Sequence, residues 1–133
     1  VMNGSFKNYM CEYGKTAVVL NTDGKVYPCY RFTHISSFGS EISKMHSSEK
    51  LQPFCDRTSD TIKLCSTCWL KYYCGGTCYH HSYIYHNDLY IPYYLDCKYI
   101  EELFKASILT YSIFNKNDIK KFMDMSYAFY NKK

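Results

Sequence analysis

Residues 65–78 read CSTCWLKYYCGGTC: four cysteines in fourteen positions, spaced C-x2-C-x5-C-x3-C, with Gly75-Gly76 between the last two. Everything else about the chain turns on what these thiols hold. Cys11, Cys29, Cys55 and Cys97 bring the total to eight cysteines in 133 residues. That density points to a disulfide framework or to metal ligation. Disulfides fit the even count, but C-x2-C bridges are mostly redox-active rather than structural. Zinc takes four nitrogen or sulfur ligands in a tetrahedron; C-x2-C is a good half-site, and His80 and His81 could supplement it. Zinc sites usually pair two well-separated knuckles, however, and here the second follows after only five residues. An iron–sulfur cube is a larger body, whose four thiolates can come from loops at mixed spacings. Gly75 and Gly76 suit such a loop, because bare backbone comes close to sulfur and can aim N–H groups at it.

The length suits one domain. The net charge of +4, spread evenly, is too mild to argue for nucleic acid. No run approaches eighteen apolar residues, so no membrane span is expected. The opening VMNGSFKNYMCEYGK has no basic segment followed by an apolar core. The expectation is a chain without a secretory signal, in the cytoplasm. Sixteen Tyr and eight Phe imply a small, half-wet aromatic core, with phenol hydroxyls partnered at its edge.

The fold class expected is α+β: a small β-hairpin with cysteine-rich loops, then short helices and a helical C-terminal tail. Residues 16–30 supply the hairpin, with Val18-Val19-Leu20 as one strand, Asn21-Thr22-Asp23-Gly24 as the turn and Lys25-Val26-Tyr27 as the other. Pro28 ends the second strand. This places Cys11 and Cys29 near each other at the hairpin's mouth. Residues 31–43 read as irregular, and residues 44–56 as a short helix that Pro53 interrupts or ends. Residues 56–64 read as a loop leading into the cysteine cluster. A helix follows Cys78 and stops near Asn87-Asp88; Pro92 begins another. Leu95, Cys97, Ile100, Phe104, Ile108 and Tyr111 approximate one inward face of that helix. Asn115–Asp118 caps a last helix, with Ile119, Phe122, Met123 and Phe129 on one side.

The cysteine pattern resembles the SPASM domain, the auxiliary-cluster domain of radical SAM enzymes that modify peptides and proteins. The family pattern is a cysteine, nine to fifteen residues, G-x4-C, a gap, C-x2-C-x5-C-x3-C, another gap and a last cysteine. Here Cys11 is followed by twelve residues and then Gly24-Lys-Val-Tyr-Pro-Cys29. Cys65, Cys68, Cys74, Cys78 and finally Cys97 complete it. The FGSEI stretch at 38–42 is similar to a G-N-I-like segment of the family. The resemblance covers about residues 11–97, and its CW…YCGG wording is most similar to thioether-forming peptide maturases.

The resemblance implies two 4Fe–4S clusters. It puts Cys65, Cys68, Cys74 and Cys97 on the second auxiliary cluster and Cys11, Cys29 and Cys78 on the first. Cys55 lies outside the pattern; either it completes the first cube, or that cube keeps an open iron. Zinc could substitute in isolated samples. The expected layout is a cluster domain over 1–97 with a helical tail over 98–133 packed on it. The catalytic C-x3-C-x2-C triplet of radical SAM enzymes is absent, and 133 residues do not hold the barrel as well. The chain thus reads as an excised fragment whose partner is a radical SAM barrel in a full-length enzyme. S-adenosylmethionine would bind only there. The further partners implied are a precursor peptide or protein substrate and an electron donor. Lys71, Tyr72, Tyr73, His80 and His81 are candidates for tuning clusters or touching substrate. A standalone zinc-held interaction module is the competing reading.

Overall fold

A computed structural model of the chain describes residues 8–130, the side chains at 116 and 127–130 excepted. Its architecture is α+β. Strands β1 (Val19–Leu20) and β2 (Lys25–Tyr27) form the hairpin, in the register Val19 to Tyr27 and Leu20 to Val26. The turn closes as its residues dictate. Gly24 takes φ +77°, its N–H reaches Asn21 O at 3.0 Å, and the Asp23 carboxylate accepts from the Lys25 N–H at 3.0 Å. The same carboxylate accepts the Tyr27 hydroxyl at 2.7 Å, tying the turn to the buried end of β2.

The stretch read as irregular departs from that expectation. Ser40–Glu41 forms a third strand, β3, antiparallel to β2, so the sheet order is β1-β2-β3. Short 3-10 turns at Tyr30–Phe32, Ser36–Phe38 and Ile42–Ser47 carry the chain around it. Pro53 also acts differently from the expectation. It sits in the first turn of α1 (Gln52–Asp56) and starts that helix rather than ending one, because its missing N–H is an orphan there anyway.

The cysteine stretch winds through two single-turn helices, α2 (Lys63–Ser66) and α3 (Lys71–Cys74). It then enters α4 (Tyr79–His86), which ends at Asn87 in the left-handed conformation, φ 51°. That stop is where the sequence placed it.

The core is aromatic. Phe32 and Phe54 are fully buried and pack with Cys29, Tyr79 and Leu89. Phe32 meets Phe38, Phe54, His80 and Tyr83 at ring-centroid distances of 4.8, 5.1, 5.4 and 5.8 Å, three of them edge-on and the Tyr83 ring tilted. Edge-on contacts suit the ring quadrupole. Cys11 and Tyr13 pack against the same cluster, so the hairpin's mouth is anchored on it.

The chain divides into two compact units, Val1–Cys97 and Lys98–Lys133. The second contains most of α5 (Tyr94–Ile113) and all of α6 (Lys116–Tyr130). Asn115 caps α6: its side-chain carbonyl accepts from the N–H groups of Asn117 and Asp118 at 2.9 and 3.0 Å. The face expected on α5 is only partly covered. Cys97, Ile100 and Phe104 are half-buried, but Leu95, Ile108 and Tyr111 are exposed. On α6 Ile119 is half-buried while Phe122 and Met123 are exposed; the Phe129 side chain lies outside the described residues. No helix among the described residues is long and apolar enough to cross a membrane.

Candidate metal centre

The local turns explain how the thiols are presented. The Cys65 N–H bonds to Ile62 O at 2.8 Å, Cys68 N–H to Cys65 O at 3.0 Å, and Lys71 N–H to Cys68 O at 3.1 Å. Successive tight turns thus carry Cys65 and Cys68 on adjacent steps. The Cys74 N–H bonds to Leu70 O at 2.9 Å, bringing in the third thiol at the end of α3. Immediately after it, Gly75 and Gly76 take φ +68° and +86°. Both are also crowded. A Cβ on Gly75 would stand 2.3 Å from the Tyr9 carbonyl carbon, and one on Gly76 would stand 2.9 Å from Ile62 Cδ1. Cys78 follows two residues later as the residue that precedes the first turn of α4.

All eight cysteines are free thiols. Their electrostatics sort seven of them into two sets. Burial pushes the Cys65 thiol up to about 11, and charge on Cys97, Cys74 and Cys68 adds to the rise. Burial likewise raises Cys74, with Cys97 and Cys68 contributing, and it raises Cys97, with Cys68 contributing. On the other side, burial raises Cys29, and the charges that add to it are those of Cys11 and Cys78. Backbone amides oppose these shifts at three sulfurs, Cys97 through its own N–H. A hydrogen bond from Gly76 lowers Cys74, and one from Arg31 lowers Cys29. N–H groups aimed at sulfur are what a thiolate ligand needs.

The two sets interleave along the chain. Cys78 follows Cys74 by four residues, yet it couples to Cys29 at the hairpin. Among the described residues no group of three or more His, Cys, Asp or Glu side chains is placed to hold a metal ion.

Residues 11–69 match the SPASM family, described as an iron–sulfur cluster-binding domain. Over these residues the chain is similar to a SPASM domain. No curated protein matches the chain.

Cys55 stands apart from both sets. Its thiol donates to Gly14 O at 2.8 Å, and its own carbonyl accepts from the Lys15 ammonium. Lys71, singled out by sequence, is anchored to Asp60 Oδ1 and Ser66 O, both at 3.1 Å. Tyr72 and Tyr73 are exposed. Both His80 ring nitrogens are enclosed without a hydrogen-bond partner. That ring sits among Phe32, His34 and His81 at 5.4, 5.9 and 6.1 Å, and burial lowers its pKa. His81 does more. Its Nδ1 faces both Asp96 carboxylate oxygens at 2.9 Å, and its Nε2 accepts from Arg31 Nη1 at 2.9 Å. Asp96 precedes Cys97 of one set, and Arg31 donates its amide to Cys29 of the other. A carboxylate–imidazole–guanidinium chain therefore ties the flanks of the two sets together. Neither Asp96 nor Arg31 was legible from sequence, since nothing local marks them. Arg57, fully buried at 1% exposure, was also missed.

Proposed function

We propose that the chain is the auxiliary cluster domain of a radical SAM enzyme that modifies a ribosomal peptide or protein in the cytoplasm. On this reading Cys65, Cys68, Cys74 and Cys97 hold one 4Fe–4S cluster, and Cys11, Cys29 and Cys78 hold another. The observation that carries it is the sorting of thiols into those sets, in a chain whose residues 11–69 match a cluster-binding family. Bound clusters supply one-electron transfer, and an open iron on the Cys11 set can take a substrate group.

The chain's own residues do the rest. Gly76 and Arg31 aim backbone N–H groups at Cys74 and Cys29, favouring thiolate. The aromatic core, through Phe32, Phe54 and Tyr79, keeps water from the Cys29 side. Engagement of the Cys55 thiol with Gly14 O supports leaving it outside the ligand set. The radical SAM barrel, the precursor peptide and an electron donor are the partners. The wording of the cysteine stretch is similar to that of thioether-forming maturases, which supports a peptide as the substrate.

The test is iron, acid-labile sulfide and zinc analysis of protein purified without oxygen. A brown sample with iron and sulfide in equal amounts supports the assignment. A colourless sample that binds zinc and resists iron–sulfide reconstitution replaces it with a zinc-held interaction module.

A further inference from the structure

The Arg57 guanidinium is sealed inside the first compact unit, and among the described residues its side-chain hydrogen bonds go to neutral oxygens. Its Nε donates to Leu89 O, its Nη1 to Thr77 O at 2.9 Å and its Nη2 to Ser82 Oγ at 3.1 Å. The Tyr79 ring lies under it, 4.7 Å from Cζ to the ring centroid. A buried cation without an anionic partner is strongly unfavourable, and arginine does not escape by deprotonating. Compensation must come from elsewhere.

The geometry shows where. Thr77 precedes Cys78, and Tyr79 follows it. A Cβ on Gly76 would stand 3.5 Å from Arg57 Nη1, so the guanidinium lies directly against the Cys74–Cys78 loop. That loop delivers one thiol to each set. Burial lowers the Arg57 pKa, and Tyr79, Cys65, Cys78 and Cys74 all oppose the fall when charged. Its contacts with Gly76, Thr77 and Tyr79 set the fixed charge beside the one loop that carries a thiol of each set, Cys74 and Cys78.

We propose that Arg57 is the shared counter-cation of the two cysteine sets, a fixed positive charge that balances their thiolates and raises the potentials of the clusters they hold. This rests on the two-cluster reading above. Reduction adds one negative charge to a cluster, and a buried cation nearby favours the added charge in a low-dielectric interior. Arg57 is a positioning residue here, acting through charge and touching no substrate.

The experiment compares Arg57→Gln and Arg57→Lys in the oxygen-free chain, by EPR-monitored titration with dithionite and by iron analysis. Gln keeps polar shape and removes the charge; Lys keeps the charge and loses the three-way fork. Arg57→Gln is expected to shift the one-electron reduction equilibrium at least tenfold against the reduced form, about 59 mV. Arg57→Lys stays closer to wild type. If Arg57→Gln cannot retain iron at all, Arg57→Lys retaining it supports the same conclusion. The proposal is overturned if Arg57→Gln carries its iron at unchanged potentials, or if Lys and Gln lose iron or potential alike, which would make the residue a structural staple only. Wild-type clusters with unmoved variant potentials overturn this inference alone. A wild-type chain that takes up no cluster overturns the two-cluster reading with it.

Discussion

Replacing Gly75 by alanine tests the loop that separates the two cysteine sets. Two penalties combine there. The left-handed backbone at φ +68° costs an L-residue about 1–2 kcal/mol. The added methyl would also stand 2.3 Å from Tyr9 C, 2.5 Å from Tyr9 O and 2.7 Å from Met10 N. These are backbone atoms and cannot rotate aside, so the 9–10 segment must move, at roughly another 1–3 kcal/mol. Gly24→Ala is the control, because Gly24 has φ +77° but open space around it. It carries only the first penalty. At about 3–5 °C per kcal/mol for a chain of this size, Gly75→Ala should melt roughly 3–15 °C below Gly24→Ala by calorimetry. Because Tyr9-Met10 leads into Cys11, the same variant should also bind iron less firmly at the hairpin set. Equal melting temperatures for the two variants would refute the reasoning.

Cys55→Ala should leave iron content within about a tenth of wild type, since its thiol is engaged by Gly14 O; loss of half the iron would show Cys55 to be a ligand. A pH dependence follows from Cys65 in the iron-free, reduced chain. Burial lifts its thiol from 9.0 to about 11, so the folded state holds that proton more tightly than the unfolded state. The stability this contributes is present below pH 9.0 and is lost as pH rises through about 11. Urea midpoints should fall between about pH 8 and about pH 10.5, and less steeply in Cys65→Ala; a flat or rising profile would contradict the shift.

What the sequence revealed follows how local the signal was. The β1–β2 hairpin was legible because Asn21-Thr22-Asp23-Gly24 is self-sufficient turn chemistry; Asn87 marks a helix end by taking the left-handed backbone and Asn115 a helix start by capping with its side chain. Strand β3 was not legible: Ser40 and Glu41 are extended only because β2 offers them an edge. Apolar spacing on α5 showed which residues share a face but not how far that face is covered, so Leu95, Ile108 and Tyr111 stand exposed beside half-buried Cys97, Ile100 and Phe104. The interleaved sets were implied by the family resemblance that the seven-cysteine pattern carries, and not by the spacing itself. Arg57, Arg31 and Asp96 stayed hidden because each acquires its role from residues 15 to 50 positions away.

The interleaving is the central claim, and Cys74 and Cys78 test it most directly. They are four residues apart, yet they are assigned to different clusters. EPR of the dithionite-reduced, oxygen-free chain should give different residual spectra for Cys74→Ser and Cys78→Ser. The first should keep the signal of the Cys11–Cys29–Cys78 set, and the second that of the Cys65–Cys68–Cys74–Cys97 set. Identical residual spectra from the two variants, with the same iron lost, would place both thiols on one centre and contradict the account.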